Sequence, residues 1–267
     1  MGGEAARSGV ALGYVALGRD PWRRMPQLVV GLALYGFGLA AMVRASLGVS
    51  PWSVLYEGVQ RHSPLSFGAV NALVGVAVLL LWIPLRQRPR FGTVLNILVL
   101  SSASDLGLAL LPAHPGWAAR VGLLLGGVLV NGVSIAIYVG ARYGPGPRDG
   151  LMTGASAATH RSIRFIRTLM EVTVLVAGVA LGGRPGPGTV LYAVSIGPIA
   201  QLLLPRLAYR TPEERGGAPV RSGRRSPRRA PVRPRPRAAA EPRQRRPPSC
   251  GAPSGPAAAE STSRPAP

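Results

Sequence analysis

Charged residues inside apolar stretches are the part of this sequence with the clearest capacity for chemistry. Arg44, Asp105, Arg167 and Glu171 lie within or at the ends of stretches that are otherwise apolar. A charge in an apolar medium is costly, so it usually faces an opposite charge or a water-filled cavity. Arg167 and Glu171 are spaced to pair on one face of a helix. The alternative is that Arg167 extends to the boundary of a membrane.

Asp105 is a further acidic residue within an apolar stretch. It lies about 14 residues after the stretch begins, or roughly 20 Å along a helix. Three serines precede it, Ser101, Ser102 and Ser104. One interpretation is that Asp105 pairs with an arginine and holds a helix bundle together. The other is that it binds and releases a proton as part of a proton or cation path.

The sequence contains no pattern typical of a catalytic or metal-binding site. The three histidines, His62, His114 and His160, are scattered over segments that connect the apolar stretches. The single cysteine, Cys250, lies near the C-terminus, which excludes a disulfide framework and a cysteine-based metal site. We therefore expect no enzyme, no catalytic residue, no cofactor and no metal.

Apolar and charged residues are separated along the chain. The sequence of 267 residues is 47% hydrophobic yet carries a net charge of +21, a combination that soluble domains seldom have. Beyond the last apolar stretch, the chain consists mainly of Arg, Pro, Ala, Ser and Gly. Such a composition cannot bury enough apolar surface to fold. We therefore predict a disordered tail at residues 205–267.

Six apolar stretches are candidates for helices that cross a bilayer, which takes about 20 apolar residues. They are Gln27–Leu47, Phe67–Leu85, Phe91–Leu111, Trp117–Ala141, Phe165–Gly182 and Gly188–Leu204. Arginines are concentrated before the first stretch, in the second and fourth connections and in the tail. By the positive-inside rule, this distribution predicts six spans with both termini in the cytoplasm of a bacterium. Residues 1–26 are then the cytoplasmic N-terminal segment. The alternative is five spans, with the last stretch lying on the membrane surface.

The sequence repeats itself at an offset of 96 residues. Residues 31–108 align without a gap on residues 127–204, and the motif Arg-Pro-x-x-Gly-Thr-Val-Leu at 88–95 recurs at 184–191. Each copy contains three predicted spans, so the second copy must enter the membrane in the opposite orientation. The predicted fold is therefore an all-α polytopic bundle of two inverted three-helix repeats, 27–111 and 117–204. Inverted repeats are typical of secondary transporters, although duplication is also a simple way to build a bundle.

Two connecting segments, residues 48–68 and 144–162, are too polar to cross a membrane and too apolar to be plain loops. Ser50 before Pro51 is typical of the start of a helix. We predict two short helices that either lie at the membrane interface or dip back into the membrane. The second segment opens with Gly-Pro-Gly-Pro-Arg-Asp-Gly, and free N–H groups at such a helix start can receive an anion. Arg148 and Asp149 are therefore candidate site residues.

Several motifs together resemble those of the YczE/YitT-like bacterial integral membrane proteins. They are Gly-Val-Ser-Pro-Trp at 48–52, Gly-Thr-Val-Leu-Asn at 92–96, Asp-Leu-Gly-Leu at 105–108, Gly-Pro-Arg-Asp-Gly-Leu-Met at 146–152 and Arg-Thr-Leu-Met-Glu at 167–171. The likeness covers about residues 25–205. It implies a plasma-membrane protein of undefined biochemistry and adds Asn96 to the candidate site. It also implies an acid after the Pro-Trp pair, where this chain has Ser53 opposite Asp149 in the repeat.

Two functions are consistent with these features. The first is a transporter or permease for a small solute or an ion, with a polar membrane site drawn from Arg44, Asn96, Asp105, Arg148, Asp149, Arg167 and Glu171. The second is a membrane scaffold or regulator that transports nothing and acts through a partner. We expect contact with the lipid bilayer and, through the basic tail, with anionic headgroups. A homo-oligomer is left open, and nucleic acid is not expected because no aromatic residues accompany the arginines of the tail.

Overall fold

The structure is a computed structural model that describes residues 14–211 and Glu214. Within these residues the chain forms eight α-helices and no strand, which confirms the predicted all-α fold. The helices are α1 (Pro21–Ala45), α2 (Pro51–Arg61), α3 (Phe67–Trp82), α4 (Phe91–Leu110), α5 (Trp117–Gly140), α6 (Pro147–Thr159), α7 (Ile163–Ala180) and α8 (Pro187–Leu207).

Four of these helices, α1, α4, α5 and α8, are long and apolar enough to cross a membrane. Of the other two predicted spans, α3 is apolar but has 16 residues, and α7 has 18 residues that include three charged side chains. The short helices α2 and α6 occupy the two connecting segments, as the proline and serine signals predict. The chain therefore has the helices of a polytopic membrane protein.

The helices of the second half start 96 residues after those of the first half. Pro21, Pro51, Phe67 and Phe91 begin α1 to α4, and Trp117, Pro147, Ile163 and Pro187 begin α5 to α8. The turns between helices follow the same offset, since Gly48 and Gly144 both have φ near +120°, at +113° and +121°. The offset found in the sequence is thus also an offset in backbone geometry.

Helices α1 and α5 pack against each other through glycines near the centre of the fold. A Cβ atom added at Gly31 would lie 2.7 Å from the backbone N of Tyr138, and one added at Gly127 would lie 2.9 Å from the carbonyl O of Gly38. No side chain fits at either position without moving backbone atoms. Small residues that allow such close approach are typical of helix packing in membranes.

The remaining helices are arranged around this pair. Helix α4 packs on α1 and α8 packs on α5. Helix α2 packs against the last turn of α7, where a Cβ at Gly178 would lie 2.6 Å from the backbone N of Leu55. Helix α6 packs in the same way on the end of α3, where the Trp82 indole N–H donates to the carbonyl of Pro147 at 3.0 Å. The two short helices thus lie at the ends of the longer ones.

A buried arginine joins the two ends of the described chain. The Arg24 side chain is fully buried and donates hydrogen bonds to the carbonyls of Val15, Ala16, Arg19, Ala141 and Arg142. Its guanidinium also lies 4.1 Å from the centre of the Tyr143 ring and 5.3 Å from that of Tyr209. Arg24 therefore holds the segment before α1 against the end of α5 and the residues that follow α8.

The packed structure extends past the predicted boundary of the tail at residue 205. Helix α8 ends at Leu207, the Tyr209 backbone N–H donates to the carbonyl of Gly140 at 2.9 Å, and Glu214 forms a 2.8 Å ion pair with Arg142. Residues up to 211 are therefore part of the fold. The rest of the tail predicted to be disordered lies outside the described residues, as do residues 1–13.

Replacing Gly127 with leucine should disrupt the α1–α5 contact. A leucine side chain there collides with the backbone of α1, which costs on the order of 1–3 kcal/mol or more. We expect a lower melting temperature and more aggregated protein after purification in detergent. Gly126→Leu is the matched control, because nothing lies within 4 Å of a Cβ at Gly126. Equal losses in both variants would argue against this packing.

Candidate functional site

A cavity of about 630 Å³ lies between the two halves of the structure. Side chains or backbone from all eight helices or their caps line it. Its polar lining consists of Tyr35, Ser50, Trp52, Tyr56, Asn71, Asn96, Tyr138, Arg148, Asp149, Arg164, Arg167, Glu171, Tyr192 and Gln201. The cavity is large enough for a small organic molecule.

Arg148 occupies the place where the two short helices face each other. It is in the first turn of α6, and its guanidinium lies 4.7 Å from the centre of the Trp52 ring and 5.5 Å from that of Tyr56. It also donates a hydrogen bond to the Tyr56 hydroxyl. Cation–π contacts of this kind strengthen when water is excluded. Trp52 and Arg148 are equivalent positions of the repeat, so two unlike residues meet between the halves.

Two carboxylates offset part of the positive charge of the arginines that line the cavity. The Asp149 side chain accepts a hydrogen bond from the Tyr138 hydroxyl at 3.4 Å. Burial raises the pKa of Asp149 above its ordinary value, and the positive charges of Arg167 and Arg148 oppose that shift. The other carboxylate, Glu171, faces the same two arginines.

Four tyrosines form a further part of the lining that sequence reasoning missed. The hydroxyls of Tyr35 and Tyr192 are 3.1 Å apart, and the Tyr35 ring is stacked on Tyr138 with 6.0 Å between the ring centres. Tyr56 is the fourth. In the sequence, each of them is simply a tyrosine within or beside an apolar stretch. Tyrosines at such positions are too common in membrane helices to single out these four.

Five of the seven candidate residues line this one cavity, namely Asn96, Arg148, Asp149, Arg167 and Glu171. Asn96 lies beside the start of α6, where a Cβ at Gly146 would be 3.3 Å from its Nδ2 atom. Ser53, the repeat equivalent of Asp149, is not among the lining residues. It is fully buried, and its Oγ is 2.8 Å from that of Ser50, the residue that caps α2.

The other two candidates, Arg44 and Asp105, lie outside the cavity. The Asp105 carboxylate accepts from the Gly68 backbone N–H at 2.7 Å and from the Ser66 hydroxyl. It therefore caps the start of α3, where a negative charge is favourable. Arg44 donates to the carbonyl of Leu108. Asp105 thus links α4 to α3, and no arginine in the described part of the chain is its partner.

Helices α3 and α4 are held together at the end where α3 starts and α4 finishes. The Asn71 side-chain N–H donates to the Ser101 hydroxyl at 3.0 Å, one turn away from the Asp105 cap. Gly68 lies so close to α4 that an added Cβ would be 2.2 Å from the carbonyl O of Ser101. These contacts close the end of the cavity region between α3 and α4.

Helices α7 and α8, the equivalents of α3 and α4, are barely in contact. Arg164 and Arg167 stand on α7 at the positions that correspond to Gly68 and Asn71. On α8, no atom of the described residues lies within 4 Å of a Cβ added at Gly197. The cavity extends to this end of the two helices, where it is lined by Ile163, Arg164, Gln201, Leu204 and Pro205. The end of the cavity between α7 and α8 is therefore less closed than the equivalent end between α3 and α4.

Replacing Arg148 with glutamine should destabilise the protein in a pH-dependent way. At about pH 8 we expect a loss of roughly 2–4 kcal/mol, because Asp149 and Glu171 then lose the positive charge of one of the two arginines that act on them. Removing the arginine raises the pKa of Asp149 further. A carboxyl group with a raised pKa favours the folded state when it is protonated, so the loss should shrink toward about pH 5.

Thermal unfolding of the purified protein across this pH range measures the effect. Arg161→Gln is the control, because Arg161 is exposed and does not line the cavity. A loss of stability that is constant with pH, or that grows as the pH falls, would contradict the proposed charge balance.

Comparison with known proteins gives the family of the chain. Residues 22–205 match the model of a family of unknown function, DUF6198. An uncharacterized protein of Haemophilus influenzae is 37% identical over 177 residues, which are 66% of this chain and 81% of that protein. The uncharacterized membrane protein YczE of Bacillus subtilis is 30% identical over 178 residues, 66% of this chain and 83% of YczE.

The uncharacterized protein YyaS of Bacillus subtilis is 24% identical over 180 residues, 66% of this chain and 90% of YyaS. No solved structure matches the chain. The relatives agree with the YczE-like resemblance of the motifs, and with the apolar helices they indicate a membrane protein. The chain therefore belongs to the DUF6198 family of unknown function.

Proposed function

We propose that the protein is a plasma-membrane transporter that carries a small solute through the cavity between its two halves. The observation that carries this proposal is the unequal closure of the cavity. The cavity reaches the ends of α7 and α8, whereas the equivalent ends of α3 and α4 are held together. A polar cavity open at one end and closed at the other is the arrangement expected for one state of an alternating-access transporter.

Six membrane spans are part of this proposal, namely α1, α3, α4, α5, α7 and α8. The support for including α3 and α7 is their outward face. Leu73 and Leu80 on α3, and Leu169 and Val176 on α7, are all more than half exposed. Large exposed apolar faces are disfavoured in water and are favourable against lipid. Both helices are short for a span, so tilting or local thinning of the bilayer accompanies them.

Inverted repeats are also part of the proposal, with residues 27–111 and 117–204 as the two copies. Reciprocal contacts between the halves support it. The Gly92 backbone N–H donates to the carbonyl of Tyr143 at 3.3 Å, and that of Gly188 donates to the carbonyl of Leu47 at 2.8 Å. The second contact is the repeat equivalent of the first, because Gly188 lies 96 residues after Gly92 and Leu47 lies 96 residues before Tyr143. Three spans per copy require opposite orientations in the membrane.

The arginine-rich connections support a cytoplasmic location of both termini under the positive-inside rule. Helix α7 follows one of those connections, so the open end between α7 and α8 faces the cytoplasm. The closed end between α3 and α4 faces outward. We therefore assign the structure to an inward-open state.

Transport then requires the outer end of the cavity to open and the cytoplasmic end to close. Outward opening breaks the Asp105 cap of α3 and the contact between Asn71 and Ser101. Inward closure brings α8 toward α7. Pro198 within α8 follows Gly197, and a proline inside a helix removes a backbone hydrogen bond and allows bending at that point. The hinge for this movement is therefore expected at Gly197 and Pro198.

No catalysed reaction and no cofactor are part of the proposal. Contact of the basic tail with anionic headgroups stays a prediction, since nearly all of the tail lies outside the described residues.

Labelling of a cysteine in the cavity tests transport without knowledge of the solute. In a Cys250→Ser background, Asn96→Cys should react with a membrane-impermeant maleimide in inside-out vesicles and, more slowly, in right-side-out vesicles. Leu129→Cys, on the exposed outer face of α5, is the control and should react in neither. Labelling of Asn96→Cys from one side only would favour a static scaffold and exclude transport through this cavity.

Loss of the Asp105 cap should favour the outward-open state. Asp105→Ala removes two hydrogen bonds to a charged group, so the outer end should open more readily. If the change favours opening by about 1.4 kcal/mol, outward labelling of Asn96→Cys rises roughly tenfold. The rates of labelling in right-side-out vesicles measure this effect. An unchanged or slower rate would show that the Asp105 contact does not close the outer end.

A further inference from the structure

We infer that the solute bound in this cavity is a small organic monocarboxylate with an apolar body. The inference deepens the proposed function and rests on it. It follows from three properties of the lining, namely its charge balance, one arginine with free donors and the apolar character of the remaining wall.

The charge balance of the lining leaves one positive charge. Three arginines, Arg148, Arg164 and Arg167, line the cavity together with two carboxylates, Asp149 and Glu171. The first turn of α6 and the start of α7 also line it, and helix N-termini add partial positive charge. A ligand with a single negative charge neutralises the site, whereas a cation adds to its excess.

Arg167 is the arginine able to receive that charge. The Arg148 guanidinium is already engaged by the rings of Trp52 and Tyr56 and by the Tyr56 hydroxyl. Arg167 acts on Asp149 and Glu171 only through space. Among the described residues it makes no hydrogen bond and no ion pair within 4.0 Å. Its fork of N–H donors therefore stays free for a carboxylate, which it matches in a bidentate geometry.

The rest of the wall suits an apolar body. Apart from the charged residues, most of the side chains that line the cavity are aliphatic or aromatic. They include Val74, Val78, Ile97, Leu100, Ile135 and Ile196. A fully polar anion such as sulfate makes no use of this surface, whereas an aliphatic or aromatic acid buries apolar area there.

Ligand-induced stabilisation of the full-length protein in detergent tests the inference. A ligand that binds the folded state raises the melting temperature in a concentration-dependent way. Hexanoate and phenylacetate should do so, whereas hexylamine, phenethylamine and the uncharged hexanamide should not. Palmitate serves as a separate arm, since a response to palmitate but not to hexanoate would identify the carboxylate as a membrane lipid.

Two arginine variants locate the binding. Arg167→Gln should weaken carboxylate binding at least about tenfold, as expected for loss of a charge-assisted contact of about 1.4 kcal/mol. Arg161→Gln should leave it unchanged, because Arg161 lies outside the lining. Equal effects of the two variants would show non-specific attraction to positive charge and would overturn the inference.

The inference and the proposed function fail in different ways. Stabilisation by the amines, or by no member of the series, overturns the monocarboxylate while two-sided labelling of Asn96→Cys still supports transport. One-sided labelling overturns transport, whatever the carboxylates do. Carboxylate stabilisation that Arg167→Gln abolishes, together with two-sided labelling, supports both.

Discussion

The close contact between α1 and α5 is the interaction on which the rest of the structure depends. Backbones approach at Gly31 and Gly127 to distances that no larger residue permits. Because these two helices cross so closely, α4 and α8 pack on the outside of the pair. The other helices then enclose a cavity between the halves. Dispersion contacts over small residues can hold such a crossing in lipid, where the hydrophobic effect contributes little.

The cavity formed in this way has to accommodate charges, and that requirement explains its lining. Arg148 is held by aromatic rings from the other half, while Asp149 and Glu171 offset part of the positive charge. The symmetry of the duplication is broken at this point, because the residue facing Arg148 is Trp52. It is broken again on α7, where Arg164 and Arg167 replace a glycine and an asparagine that hold α3 against α4. Both departures from symmetry change the lining of the same cavity.

The sequence predicted the helices and the repeat offset well, because apolar length, proline and serine signals act locally. It also led to Arg148 and Asp149 through a motif in a connecting segment. Asp105 is different. Counted from the start of its stretch it lies deep, but α4 ends only a few residues later at Leu110, so its partner is the start of α3. The tyrosines of the cavity could not be found, because their meeting depends on how separate helices pack, which no local pattern specifies.

The central claim is that the two ends of the cavity open in alternation. Paired cysteines in a Cys250→Ser background test it most directly. One pair is Asn71→Cys and Ser101→Cys, which lie 3.0 Å apart at the closed end and leave the Asp105 cap intact, and the other is Ser162→Cys and Gln201→Cys at the open end. Without solute, a short bifunctional thiol reagent should cross-link the first pair readily and the second pair slowly. Phenylacetate should change the two yields in opposite directions. Yields that do not respond, or that rise and fall together, would contradict alternating access.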